Sequence, residues 1–259
     1  MKLYFATSYS PLGELKQLNE WKVSKTLSSY YVLQKIAPEK LIAGTPQGFD
    51  CFLDSGAFSA LTKNTPINID KYIEFIIRTK HLWTVYAGLD VIGDFEATAK
   101  NQAYMESKGL KPLPTFHYNS PLSELERLCQ KYDYIALGGL VPLSLNRKLM
   151  QAWLDNCFAI IKKYKTKTHA FGVNAAWAWQ RYPFYSVDAT SWNQGMKYGR
   201  VVNVSGFNMK DVAKKSDRAN FIKHKQATWQ ERTKINVTHF LRLEKLITQL
   251  WEKRGIKYD

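Results

Sequence analysis

The sequence predicts an α/β protein of the (β/α)8 TIM-barrel class, built as a single domain. Three observations carry that prediction. Short apolar runs alternate with longer amphipathic ones along the chain. Eight of the short runs have the length and composition of strands. The chain has 259 residues, close to the about 250 of a typical barrel of this kind. A doubly wound open sheet is the main rival. Neither GxGxxG nor GxxxxGK[ST] follows the first strand, which removes the nucleotide-binding version of that rival.

The expected strands, in order, are Leu3–Thr7, Cys51–Asp54, Thr84–Asp90, Pro112–His117, Tyr134–Leu140, Thr168–Val173, Phe184–Asp188 and Val201–Ser205. Between them, Glu14–Ile36 is interrupted by polar residues and reads as one helix or two. Asn68–Lys80 opens at a side chain suited to capping, and Phe95–Lys108 stops at Gly109, a C-cap residue. Ser120–Lys131 opens with Ser120 as cap and Pro121 in the first turn. Leu145–Tyr164 is long and amphipathic, and Thr238–Lys253 closes the chain. Residues 208–234 are basic and poorly periodic, and read as an insertion or extension within the domain.

Composition narrows the function. The hydrophobic fraction is 45% and the charged fraction 23%, which excludes disordered and fibrous classes. Lys+Arg 37 against Asp+Glu 22 leaves a formal charge of +15. Folding does not require that excess, which points to a polyanion, most simply nucleic acid. Lys210, Lys214, Lys215, Arg218, Lys223 and Lys225 are the candidate phosphate-binding residues. The segment Lys210–Lys234 carries eight Lys/Arg against three Asp/Glu, a pattern that a solvated surface also produces. The three cysteines, Cys51, Cys129 and Cys157, are far apart, and no CxxC or Cys/His cluster has zinc spacing. A reducing, cytoplasmic setting without structural zinc is expected. The N-terminal run is too short for a signal peptide, and no run approaches the roughly 18 apolar residues of a membrane span.

In a barrel the chemistry sits at the C-terminal strand ends. Three of the expected strands end in carboxylates: Asp54, Asp90 and Asp188. A strand-terminal Asp also serves as a helix cap, but all three follow apolar runs. His117 ends another strand and reads first as a satisfied polar residue and second as a catalytic group. Gly138 and Gly139 form a turn or let backbone approach a flat ligand. Phe58 and Phe171 are the aromatics nearest these ends. Trp177, Trp179 and Trp192 read first as packing, and second as support for an extruded base.

These residues carry a resemblance. Asp54-Ser55-Gly56-Ala57-Phe58 resembles the DSGG-aromatic motif of the tRNA-guanine transglycosylases. Gly138-Gly139-Leu140 resembles that family's GGL loop, and Asp90 and Asp188 fall where it keeps its base-reading and nucleophilic aspartates. The likeness runs from about residue 50 to residue 190. The family's second motif glycine is Ala57 here, its Gln-Gly-Gly turn is replaced by His117-Tyr118-Asn119, and its Cys-rich zinc site is missing. The pattern is most similar to the DpdA-like group of phage and bacterial proteins, which place 7-deazaguanines into DNA.

The resemblance implies a base-exchange transglycosylase. Asp188 would be the nucleophile that captures C1′ of the sugar, and Asp54 the general acid/base. Asp90 would read the N1–H and 2-amino edge of a guanine-like base. Ser55, His117 and the Gly138 and Gly139 backbone would contact the base, with Phe58 and Phe171 sandwiching the ring. No cofactor or metal is required. The expected partners are DNA, in preference to tRNA, and a free 7-deazaguanine such as preQ0. A tRNA transglycosylase, a base-excising glycosidase and a non-catalytic nucleic-acid-binding barrel are the alternatives.

Overall fold

The computed structural model describes residues 1–8, 10–140, 143, 146–193, 201–205, 208–211 and 227–258, with backbone alone at 202–205 and 208–211. The chain divides into two compact units, Ala6–Gly172 and Met1–Phe5 with Val173–Asp259. The expected α/β architecture of parallel strands is present in both.

The larger unit alternates strands and helices. Strand β1 (Lys2–Ala6) leads into it and is followed by α1 (Pro11–Glu20), β2 (Lys25–Ser29), α2 (Tyr30–Leu33), α3 (Pro38–Gly44) and β3 (Asp50–Asp54). Then come α4 (Ala57–Thr62), α5 (Ile69–Thr79), β4 (Trp83–Tyr86) and α6 (Phe95–Ser107). β5 (Thr115–His117), α7 (Leu122–Lys131), β6 (Tyr134–Gly138), α8 (Arg147–Tyr164) and β7 (Lys167–Ala170) complete it. β2 pairs with β3 and β3 with β4, all parallel, as do β5 with β6 and β6 with β7. A parallel bridge from Ala87 to Leu113 joins the β4 side to the β5 side. The six strands therefore follow one another in chain order. Their inner face is fixed by packing: the Phe52 ring of β3 lies 4.6 Å from His169 of β7 and 5.7 Å from Phe171. Strands far apart in order share that interior, so the sheet curls. By register and alternation, Asp54, His117 and Gly138 project to the same side.

The helices cover the outer face. α5 shows why: Tyr72, Ile73, Phe75, Ile76 and Thr79 fall on one stripe and are all buried. Tyr72, Ile73, Phe75 and Ile76 pack with Tyr30, Leu53, Tyr86 and Met105 in one apolar cluster. Asn68 caps this helix as expected, its side chain accepting the Lys71 N–H at 3.0 Å, and Gly109 takes the left-handed conformation at φ 78° after α6. Ser120 does not cap α7. Pro121 occupies the cap position, without a side-chain hydrogen bond.

The smaller unit holds β1 beside β8 (Ser186–Ala189), paired in parallel with Tyr4 opposite Asp188. It also contains α9 (Ala176–Arg181), an antiparallel pair β9 (Val202–Ser205) and β10 (Asn208–Asp211), and the long helix α10 (Trp229–Lys253). Phe5 packs edge-on against Phe240 of α10 at 6.4 Å and against Trp192 at 6.1 Å. α10 opens with a reciprocal capping box between Thr228 and Glu231, nine residues before the expected helix start. Trp179 and Trp192 are completely buried, so packing, not support of an extruded base, is their role.

Two expected elements are corrected. The proposed helix Glu14–Ile36 contains strand β2, whose buried residues Thr26, Leu27 and Ser28 lack the apolar signature of a strand. The expected strand Val201–Ser205 is present as Val202–Ser205, but it pairs antiparallel with β10 and so is not one of the parallel set. No described helix is long and apolar enough to cross a membrane. Cys51, Cys129 and Cys157 are free and buried.

Candidate active site

The C-terminal ends of β3 through β7 bring a polar cluster together in the larger unit. Asp54 ends β3 and folds back on its own turn: its Oδ2 accepts the Gly56 N–H at 3.1 Å. Gly56 adopts φ 82°, a left-handed conformation that lets the chain enter α4 at once. Any larger residue there would strike Tyr31, since an added Cβ would stand 2.4 Å from the Tyr31 Cβ. Between them, Ser55 is fully buried. Its hydroxyl accepts the Ala57 N–H at 3.2 Å and donates to Asp90 Oδ1 at 2.8 Å.

Asp90 follows β4. It does not cap the next helix, because Asp94 does so, accepting the Ala97 N–H at 2.9 Å. The Asp90 carboxylate is held by side chains from two other strand ends. Ser55 binds one oxygen, and His117 Nε2 lies 2.8 Å from the other. An ionised carboxylate only accepts hydrogen bonds, so Nε2 carries the proton and donates. The His117 side chain is 2% exposed and that of Asp90 15%, so the pair is sheltered while the carboxylate keeps an open side.

The glycines of β6 explain how the imidazole fits. A Cβ on Gly138 would stand 3.0 Å from His117 Cδ2 and 2.9 Å from Thr115 Cγ2. Gly139 turns the chain at φ 70°, with the Tyr118 N–H bound to the Gly138 carbonyl at 3.0 Å. Phe171 lies just past β7, packed at 4.5 Å against His169. Phe58 in α4 is 47% exposed.

Beside Asp90 is a cleft of about 340 Å³, lined by Ala57, Leu61, Ile67, Leu89, Asp90 and Asn101 among others. It is chiefly apolar, with Asp90 its one charged group, and its size is at the lower end for small-molecule sites. Neither Ser55 nor His117 lines it. Below the cluster, the Tyr72 phenol is fully buried and donates to the Ala87 carbonyl at 2.8 Å. Burial, followed by the nearby Asp54 and Asp90 charges, pushes its pKa well above the ordinary tyrosine range.

The structure brings Asp54, Ser55, Asp90, His117, Gly138 and Gly139 together, with Phe58 and Phe171 on the adjoining elements. Asp188 belongs to the smaller unit, where it is buried. Phe5 faces α10 and pairs with Ala189, so alternation turns Asp188 to the sheet face opposite that helix. Among the basic residues, Lys214, Lys215, Arg218, Lys223 and Lys225 lie outside the described residues, and only the backbone of Lys210 in β10 is described. Tyr72, Asn64 and Asn101 were not among the expected site residues. Tyr72 reads in sequence as one more apolar position of an α5 stripe, and nothing local marks it. Among the described residues no group of three His, Cys, Asp or Glu is placed to hold a metal.

No protein-family model matches the sequence, and no curated protein matches it either.

Proposed function

We propose that the chain is a (β/α)8-barrel transglycosylase that exchanges guanine in DNA for a 7-deazaguanine through a covalent aspartyl-sugar intermediate. The observation that carries this reading is the Asp90 carboxylate, oriented by Ser55 and His117 at the rim of an apolar cleft. A carboxylate with one open side is suited to a flat heterocycle bearing adjacent N–H donors. The carboxylate is only partly buried, and Asp90 has no helix to cap.

The remaining residues supply the chemistry. Replacing guanine breaks the bond from N9 to C1′ through a transition state with oxocarbenium character. In this mechanism the Asp188 carboxylate forms the new bond to C1′ as the C1′–N9 bond breaks, and the electron pair departs with guanine. Asp54 supplies a proton to the leaving base. It then takes the N9 proton of the incoming base, whose nitrogen displaces Asp188 from C1′. Two displacements on one carbon retain configuration. The target base must leave its stack, at a cost of a few kcal/mol, and phosphate contacts from the basic excess offset part of it.

The test is incorporation of labelled guanine into DNA and into bulk tRNA at one salt concentration, with Asp188→Asn alongside. Label in DNA that disappears in Asp188→Asn supports the reading. Label in tRNA alone moves the substrate to RNA. Abasic sites without label favour a glycosidase, and no reaction with either nucleic acid refutes exchange altogether.

A further inference from the structure

We propose that Ser55 and His117 are positioning residues: by fixing the Asp90 carboxylate they set the preference for a base with two adjacent N–H donors over a base with one. The inference rests on Asp90 reading the base edge, and assigns what makes that reading selective.

The argument starts from lone pairs. A carboxylate offers about four acceptor positions, two on each oxygen. Ser55 occupies one on Oδ1 and His117 one on Oδ2, both at 2.8 Å. One position per oxygen is left. One acceptor on each oxygen matches a pair of adjacent donors, as in the fork that makes guanidinium–carboxylate pairs specific. Guanine presents such a pair in N1–H and the 2-amino group, whereas hypoxanthine presents N1–H alone. An unrestrained aspartate can rotate to suit either base. One held at both oxygens cannot, and an unmatched oxygen then goes without its donor.

Both holders are themselves restrained. The Ser55 hydroxyl accepts the Ala57 N–H at the start of α4, which directs its proton to Asp90. His117 ends β5, and Gly138 of the neighbouring β6 has no side chain to obstruct its ring. Both residues are buried, and neither borders the cleft that Asp90 lines. Their influence on a ligand in that cleft therefore passes through Asp90. Side chains from two strand ends converge on a single carboxylate and a glycine of a third makes room for one of them, more than is needed to tie neighbouring strands that already share backbone hydrogen bonds.

The experiment is equilibrium dialysis of the full-length protein with radiolabelled guanine and, separately, hypoxanthine. The variants are Ser55→Ala, His117→Phe and His117→Gln, each checked for a cooperative thermal transition. The wild type is expected to prefer guanine by roughly 10- to 100-fold, the range for one hydrogen bond to a charged group. Ser55→Ala and His117→Phe should reduce that ratio to within about threefold, a loss of most of one such bond. His117→Gln, which can still offer an N–H to Asp90, should restore much of it. A purely structural role would change stability and leave the ratio alone. An unchanged ratio in folded His117→Phe overturns the proposal. So does a wild type without preference. Should His117→Phe fail to fold, the ratio in Ser55→Ala decides in the same way. Labelled-guanine incorporation by the wild type is scored separately: its absence refutes the transglycosylase, while the binding ratio still judges the positioning role.

Discussion

Gly56→Ala gives the sharpest test of how the candidate site is built. The native backbone has φ 82° and ψ 17° at this position. An L-residue in that region costs about 1–2 kcal/mol. The added methyl also has no room, standing 2.4 Å from Tyr31 Cβ, 2.5 Å from Ser29 Oγ and 3.0 Å from the Tyr31 backbone nitrogen. The serine hydroxyl can swing away, but the Tyr31 backbone cannot. Overpacking of this kind adds roughly 1–3 kcal/mol. Together the two effects give about 2–5 kcal/mol of destabilisation. For a chain of this size each kcal/mol lowers the melting temperature by roughly 2–4 °C, so a fall of about 4–20 °C is expected. Ala57→Gly, one residue on in the first turn of α4, is the control and should cost no more than about 1 kcal/mol. The assay is thermal denaturation followed by tryptophan fluorescence and circular dichroism. A Gly56→Ala protein melting within 2 °C of wild type, by the scale just given, would refute the steric argument and with it the placement of Asp54 by a tight left-handed turn.

The other predictions concern the support beneath the site. Tyr72→Phe leaves the buried Ala87 carbonyl without its 2.8 Å donor and should cost about 1–2 kcal/mol in chemical denaturation; no loss would show that water replaces the phenol. Asn68→Ala removes the α5 cap and should cost about 1 kcal/mol, read as a lower urea midpoint at unchanged slope. Burial raises the Cys51 thiol from its ordinary 9.0 to about 11. Its neutral form is favoured in the fold, so that stability is complete below pH 9.0 and declines as pH rises toward 11. The shift corresponds to a loss of about 2–3 kcal/mol across that window. Cys51→Ala should flatten the dependence, and an equally steep profile in that variant would assign the titration elsewhere.

What was legible in the sequence was the part set by local pattern. Apolar runs that end abruptly in a polar residue marked β3 and β5, and one that ends in a glycine pair marked β6, because a strand buried on both faces has no alternation to obscure its limits. β2 escaped for the opposite reason. Its sequence Lys25-Thr26-Leu27-Ser28-Ser29 buries two hydroxyl-bearing residues, and Ser28 is accommodated by a 2.8 Å contact with Thr7. That partner lies 21 residues away in sequence, so no local window reveals that Ser28 can be buried at little cost. Val202–Ser205 had a strand's composition, but composition carries no information about its partner, which proved to be the antiparallel β10.

The site shows the same division between local and distant information. Asp54, Asp90 and His117 could be picked out singly because each ends an apolar stretch. Their relation could not be, since the Ser55–Asp90 bond spans 35 residues and the His117–Asp90 pair 27. Those separations are closed by parallel crossovers, which set strand ends side by side whatever the intervening sequence. The consequence is a change of roles. Ser55 and His117 read in sequence as groups that touch a base, yet both are sealed from the cleft. Gly138 read as a place for backbone to approach a ligand, yet the space it leaves is filled by an imidazole. For Ser55 and His117 the expected ligand contact is replaced by a contact to Asp90, and for Gly138 by room for the His117 ring. Two of these residues therefore converge on one acceptor and the third makes room for one of them, and the selectivity of a site with this geometry depends on how firmly that carboxylate is held.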